Sequence, residues 1–277
     1  MKIAYLGPQA SFTQLVASRL FTEVEFVPQQ TIRDCFHAVL TDEVEKAVVP
    51  LENSIEGTVS MTLDLLYDYD NIFIEAEAVL PVSHHLMVHP NSAKVEKIYS
   101  HPQALAQTFN FRFEHYKNVP AQEFSSTAAA AKRVAEHPEE NWAAIANEYA
   151  AKLYGLKILH ENIQDVARNH TRFIVISRTQ HPIELNLRQT TAKTSLFVTL
   201  PDDHAGGLHQ VLSVFAWRRM NLSKIESRTL KTGLGNYFFY INVDGDWENV
   251  LYQNSLEELR SIGASVRFLG NYHEYLV

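Results

Sequence analysis

The sequence predicts an α/β protein in which a two-lobed unit is followed by a smaller ferredoxin-like unit. Three observations predict it. Short apolar runs alternate with segments of helical spacing as far as about residue 180. A long strand-like stretch, 72–88, carries the chain off into a second round of the same alternation. After an aperiodic stretch, the order βαββαβ follows.

The elements run as follows. Lys2 to Leu6 reads as a strand, Phe12 to Leu20 as a helix and Val24 to Val27 as a second strand. Thr31 caps a helix with Ile32, Cys35, Phe36, Val39 and Leu40 on its apolar face, and Lys46 to Val49 is a buried strand. In the second lobe, Ile98-Tyr99, a helix from Gln103, a strand at Glu123-Phe124, the alanine-rich helix Thr127 to Glu136 and the strand Ala143 to Ala146 repeat the pattern. Thr171 to Ser177 is a strand expected to return to the first lobe. The expected boundaries are about 1–75 and 172–180 for lobe one, 76–171 for lobe two, 181–193 for a linker and 194–277 for the last unit. That unit reads as strand Thr194 to Leu200, helix Ala205 to Arg219, strands Leu222 to Leu230 and Tyr237 to Val243, helix Trp247 to Ile262 and strand Ser265 to Leu269. A chain that leaves one lobe and returns makes a cleft suited to a small ligand.

Composition narrows the function. With 46% hydrophobic and 20% charged residues, the 277-residue chain is long enough for two folded units. Its apolar runs fall short of the roughly 18 to 20 residues that span a bilayer, so no membrane partner and a cytoplasmic location are expected. The net charge of -8 argues against nucleic acid, which needs a basic field. An anionic ligand would have to be held by local donors such as helix N-termini. Cys35, the lone cysteine, reads as a buried core thiol.

Three hydroxyl-rich strand-to-helix turns stand out: Ser11, Pro50 to Val59 with Glu52-Asn53-Ser54, and Ser125-Ser126-Thr127. Each brings free N–H groups and hydroxyls to a helix start, and together they suggest a carboxylate or phosphate ligand. Gln107 follows Gln103 by one helical turn after Ser100-His101-Pro102 and could present its amide to the cleft. In Asn169-His170-Thr171-Arg172-Phe173 an extended backbone would put Thr171 and Phe173 on one face and Arg172 on the other. The thirteen histidines show no metal-ligand spacing, Ser83-His84-His85 reads as surface or packing, and no glycine-rich nucleotide loop occurs, so no cofactor and no metal are expected.

Taken in order, Glu52-Asn53-Ser54 with Gly57, Ser100-His101-Pro102-Gln103, Ser126-Thr127-Ala128 and Asn169-His170-Thr171-Arg172-Phe173 resemble the prephenate dehydratase family. The likeness covers residues 1 to about 180. Residues 194–277 look like the ACT domain that follows such catalytic domains, with Gly206-Gly207-Leu208, Asn221 and Glu226-Ser227-Arg228 at its phenylalanine-binding positions. The resemblance implies a periplasmic-binding-protein-like catalytic domain, a monofunctional prephenate dehydratase acting in phenylalanine biosynthesis, allosteric feedback by L-phenylalanine, and a homodimer or homotetramer.

It also implies catalytic roles for Thr171, Asn53, Ser54, Ser100 and Gln107, with Thr171 donating to the leaving hydroxyl. Ser11, Glu52, Ser126, Thr127, Arg172 and Phe173 are implied to bind substrate, Arg172 or the helix start at Ser126 and Thr127 holding the pyruvyl carboxylate. Three departures are Ala10 where the family has glycine, Gly206-Gly207-Leu208 in place of G-A-L, and Thr229 in place of proline. Arogenate as substrate, and a non-catalytic carboxylate-binding module with an ACT sensor, stay open.

Overall fold

The computed structural model describes residues 1–180, 183, 185, 187–201, 205–229 and 237–277. Lobe one is built on β1 (Lys2–Leu6), β2 (Glu25–Gln29) and β3 (Lys46–Asn53), parallel in the order β2-β1-β3, with α1 (Phe12–Leu20), α2 (Ile32–Leu40) and α3 (Ser60–Asp68) packed around them. Thr31 forms a reciprocal capping box with Asp34 at the start of α2, and Cys35 is buried there in the core. A short β4 (Gly57–Thr58) folds back on β3, so part of the expected turn from Pro50 to Val59 is a small hairpin.

Two long strands, β5 (Phe73–Pro81) and β11 (His170–Ser177), pair antiparallel with each other, and β11 pairs with β3. Both therefore belong to the lobe-one sheet. The crossing between lobes falls near Val82 rather than at residue 76, and β11 begins at His170 before the expected 172. Lobe two holds β6 (His85–Val88), β7 (Lys97–Ser100), β8 (Ala121–Glu123), β9 (Trp142–Ala146) and β10 (Lys157–His160) in the order β10-β6-β9-β7-β8. Helices α4 (Pro102–Ala106), α5 (Phe109–His115), α6 (Thr127–Ala135) and α7 (Glu148–Tyr154) belong to this lobe.

The last unit comprises β12 (Gln189–Thr199), α8 (Gly207–Ala216), β13 (Leu222–Thr229), β14 (Tyr237–Asp244), α9 (Val250–Ser261) and β15 (Ser265–Leu276). Its order β13-β14-β12-β15 is that of a ferredoxin-like sheet. Strand β12 begins inside the expected linker, of which residues 181, 182, 184 and 186 lie outside the described residues, as does Leu230 at the expected end of β13. Helices α8 and α9 cover one face through Val211, Phe215, Tyr252 and Leu259.

The other face packs on lobe one, where the Tyr67 ring stacks on Phe238 at 4.2 Å. Strand β15 outruns its expected end at Leu269 and pairs in parallel with β5 through Glu274, Tyr275 and Leu276. The two units thus share one ten-stranded sheet among the described residues. Gly270 permits the junction: its φ is 153°, and a Cβ there would fall 2.1 Å from the Ile74 carbonyl oxygen.

Candidate active site

A cavity of about 460 Å³ opens between the two lobes. It is lined from lobe one by Ser11, Phe12, Asn53 and Thr58, from lobe two by His101, Gln107, Ser126 and Thr127, and at the hinge by Val82, His84, Asn169, Thr171 and Phe173. Period-two alternation explains the hinge residues, since Asn169, Thr171 and Phe173 occupy alternate positions, as do Val82 and His84. The two segments are tied by the Val82 N–H, which donates to the Asn169 carbonyl at 2.8 Å.

Hydrogen bonds fix the direction of the Asn53, Asn169 and Gln107 amides along this wall. The backbone N–H groups of Ile55 and Glu56 donate to Oδ1 of Asn53 at 3.0 and 3.1 Å. Nδ2 of Asn53 must then be the group facing Asn169 Oδ1 at 2.9 Å and Thr171 Oγ1 at 2.8 Å. Asn169 in turn donates from Nδ2 to Oε1 of Gln107 at 3.2 Å, and His84 Nε2 meets that oxygen at 3.1 Å. Since Thr171 Oγ1 accepts from Asn53, its hydroxyl hydrogen is left to donate. The Gln107 NH2 is buried without a hydrogen-bond partner among the described residues.

Two helix N-termini border the cavity, α1 from lobe one and α6 from lobe two. Ser11 caps α1, accepting from the Gln14 N–H at 3.2 Å and donating to the Leu6 carbonyl at 2.8 Å. Ser126 caps α6 by accepting from the Ala129 N–H at 3.0 Å. No lysine or arginine is among the described residues of the lining. An anion there is met by helix N-termini and neutral donors. Among the described residues, no cavity hydroxyl is hydrogen-bonded to an imidazole. Ala10, beside the Ser11 turn, adopts φ 67°, the left-handed conformation that the glycine expected there would take without strain, and donates its N–H to Gln14 Oε1 at 2.6 Å.

Four expected site residues lie outside this cavity. Ser100 is fully buried within lobe two, donating to the Ile145 carbonyl at 2.6 Å, because its place in β7 turns the side chain into the sheet core. Ser54 braces the strand behind the wall, accepting from the His170 N–H at 3.0 Å and lying 3.3 Å from Asn169 Oδ1. Arg172 points to the opposite face from Thr171, as an extended strand requires, and its Nη1 lies 2.7 Å from Glu77 and 3.4 Å from Glu274. Glu52 shares that face, 3.6 Å from Arg172 and 2.8 Å from Lys224 of β13. Thr171, Asn53, Gln107, Ser11, Ser126, Thr127 and Phe173 do come together.

Of the expected regulatory residues, Gly206 has φ 88° just before α8, Gly207 opens that helix and Leu208 is exposed. Glu226 accepts from the Thr58 hydroxyl, and Arg228 lies 2.7 Å from Asp64, so both face lobe one; Ser227 faces the other way. Asn221 donates to Asp244 at 2.5 Å.

Sequence reasoning gave no role to Asn169 and set His84 aside. Both could have been found by extending the alternation at Thr171 and Val82. His85 is partly the packing residue expected, its Nδ1 accepting from the Asn162 N–H at 3.3 Å. No metal cluster occurs among the described residues, and no helix among them is long and apolar enough to cross a membrane.

Residues 3–181 match the family model described as prephenate dehydratase. The prephenate dehydratase of Bacillus subtilis (strain 168) is 46% identical over 283 residues, covering 99% of each chain. The structure of prephenate dehydratase in complex with L-Phe from Arthrobacter aurescens is similar at a TM-score of 0.86 and 34% identity, covering 98% of this chain and 90% of that one. The structure described as GqqA, a novel type of quorum quenching acylases, is similar at a TM-score of 0.85 and 29% identity, over 98% and 97% of the two chains.

Proposed function

The chain belongs to the prephenate dehydratase family, and we propose on that premise that it converts prephenate to phenylpyruvate, with L-phenylalanine as its feedback regulator. One observation carries the reading. The Thr171 hydroxyl accepts from an Asn53 amide of fixed direction and keeps its own hydrogen for an acceptor in the cavity.

Prephenate is a dianion bearing a ring carboxylate, a pyruvyl carboxylate and a hydroxyl across the ring. Loss of the ring carboxylate as CO2 leaves its electron pair in the ring, and the hydroxyl departs with its bonding pair as the ring becomes aromatic. The reaction needs polarisation of the leaving hydroxyl rather than an electron sink. Thr171 supplies it by hydrogen bonding, since an aliphatic alcohol is too weak an acid for full proton transfer.

The pyruvyl carboxylate keeps its charge throughout and is held by the N-termini of α1 and α6, with Ser126 and Thr127. The ring carboxylate loses its charge, so a neutral donor such as the Gln107 NH2 holds it without over-stabilising the ground state, while both hydrogens of the Asn53 amide stay on Asn169 and Thr171. The enzyme is a carbon-oxygen lyase working without a cofactor in the cytoplasm. L-phenylalanine is assigned to Gly206-Gly207-Leu208 with Asn221 and the edge segment Glu226-Ser227-Arg228, at a contact between two copies, where Ser227 is the side chain of that segment turned away from lobe one. Strand β13 ends the sheet order, and an edge strand of this kind favours pairing with a second chain.

The test is incubation of the purified protein with prephenate and, in parallel, with arogenate, reading phenylpyruvate by its absorbance in alkali and phenylalanine by chromatography. Phenylpyruvate from prephenate supports the reading. Turnover of arogenate alone moves the substrate, and no turnover of either refutes the enzyme reading.

A further inference from the structure

We propose that His84 is a positioning residue for the dehydration: its Nε2–H holds Oε1 of Gln107, so that the Gln107 amide presents its NH2 to an acceptor oxygen of the substrate. The proposal rests on the prephenate dehydratase reading and assigns a role to a side chain that its motifs leave out.

The direction of the amide follows from a chain of hydrogen bonds that starts at backbone groups. The Ile55 and Glu56 N–H groups fix Asn53, Asn53 donates to Asn169 Oδ1 at 2.9 Å, and Asn169 therefore donates to Gln107 Oε1 at 3.2 Å. A side-chain amide held by one bond from one side can still turn about its last torsion. His84 meets the same oxygen at 3.1 Å from another direction, and because that oxygen is the acceptor, the imidazole must be protonated at Nε2.

Both residues are anchored independently. The His84 N–H donates to Gln164 Oε1 at 3.0 Å, and its ring stands edge-on to Phe12 at 5.8 Å. The Gln107 N–H donates to the Gln103 carbonyl at 2.9 Å, while its own carbonyl accepts from Asp165 at 2.7 Å.

The consequence is a buried NH2, on a residue of the cavity wall, without a hydrogen-bond partner among the described residues. An unmade hydrogen bond of this kind is costly, and a ligand oxygen relieves it. Burial also pushes the His84 pKa down to about 4, so near neutral pH the ring is uncharged and carries one hydrogen.

The experiment compares wild type with His84→Phe, His84→Gln, Gln107→Leu and the double variant His84→Phe/Gln107→Leu, all checked for folding by circular dichroism. His84→Phe keeps a ring against Phe12 but has no donor. His84→Gln places an amide NH2 near the former Nε2. The expected result for His84→Phe is a fall in kcat of about ten- to a hundredfold from loosening a reacting-group contact, with KM changing far less. His84→Gln recovers most of that loss, and the double variant is no slower than Gln107→Leu alone, because the imidazole acts only through the amide.

A folded His84→Phe with wild-type kcat, a His84→Gln as slow as His84→Phe, or additive losses in the double variant would each overturn the proposal. Nitrogen-15 NMR of the imidazoles gives a readout independent of turnover. The Nε2–H tautomer is expected for His84 in the wild type, and an Nδ1–H tautomer refutes the positioning role whatever the substrate. Failure of the wild type itself to convert prephenate refutes the functional reading instead.

Discussion

Asn53 donates from Nδ2 to Oγ1 of Thr171 at 2.8 Å, and the direction of that bond is set by two backbone N–H groups on the far side of the Asn53 amide. The bond orients the threonine hydroxyl toward the cavity without occupying its hydrogen. Thr171→Val preserves shape and removes that hydrogen, so kcat is expected to fall by a factor on the order of 10² or more, the typical contribution of a positioned donor. Steady-state kinetics on the folded variant check it; turnover near wild type would refute the role.

Thr171 and Arg172 are neighbours in sequence with opposite duties. Arg172 lies against Glu77, Glu274 and Glu52, and Glu77 is fully buried. Arg172→Met is expected to lower the unfolding free energy, by less than the roughly 3–5 kcal/mol of a fully buried broken pair. Lys193 limits the loss by remaining 2.9 Å from Glu77, and the Arg172 side chain is itself 33% exposed. KM should change little. Urea unfolding alongside kinetics separates the outcomes, and a large rise in KM with unchanged stability would return Arg172 to the substrate.

Much of this arrangement was legible in the sequence. Period-two reading placed Thr171 and Phe173 together and Arg172 opposite, and the hydroxyl-rich turns at Ser11 and Ser126 both reached the cavity. Ser100 was not legible, because a hydroxyl at the end of a strand can turn toward the cleft or into the sheet, and the neighbouring strand's Ile145 carbonyl decides between them. The carboxylates that hold Arg172 come from β3, β5 and β15, pairings over long sequence separation that local periodicity does not encode. The extension of β15 past Leu269 was hidden for the same reason: it pairs with β12 on one side and, from Glu274 to Leu276, with β5 of the other unit.

Stability should also report on His84. Burial foremost, with His85 nearby, lowers its folded-state pKa from 6.5 to about 4, while the Gln107 bond acts in the opposite direction. The unfolded chain therefore binds a proton that the folded chain refuses, so stability is fully present above pH 6.5 and declines as pH falls through about 4. His84→Gln removes this titration. The difference in unfolding free energy between wild type and variant should change across that window by on the order of 3 kcal/mol, because each tenfold difference in proton affinity is worth about 1.4 kcal/mol. Denaturant melts at a series of pH values measure it, and parallel pH profiles would show that His84 is not depressed.

Regulation gives the last prediction. Lys224 of β13 places its Nζ 2.8 Å from Glu52 and 2.9 Å from the Thr58 hydroxyl. Glu52 directly precedes Asn53, and Thr58 lines the cavity, so β13 touches both flanks of the loop that orients Thr171. L-phenylalanine bound beside β13 can alter turnover only through contacts that differ between bound and free states, and these are the contacts at hand.

Lys224→Met keeps most of the side-chain bulk but removes the ammonium. The expected outcome is that wild type is inhibited by L-phenylalanine, whereas Lys224→Met still binds it by calorimetry and is inhibited much less; couplings of this kind are typically about 5- to 150-fold in affinity. Point substitution is the sounder route than ending the chain near Arg178, because removing β15 would strip β5 of its parallel partner. Undiminished inhibition of Lys224→Met would place the coupling elsewhere in the interface, and no heat of binding to the wild type would remove L-phenylalanine as the ligand.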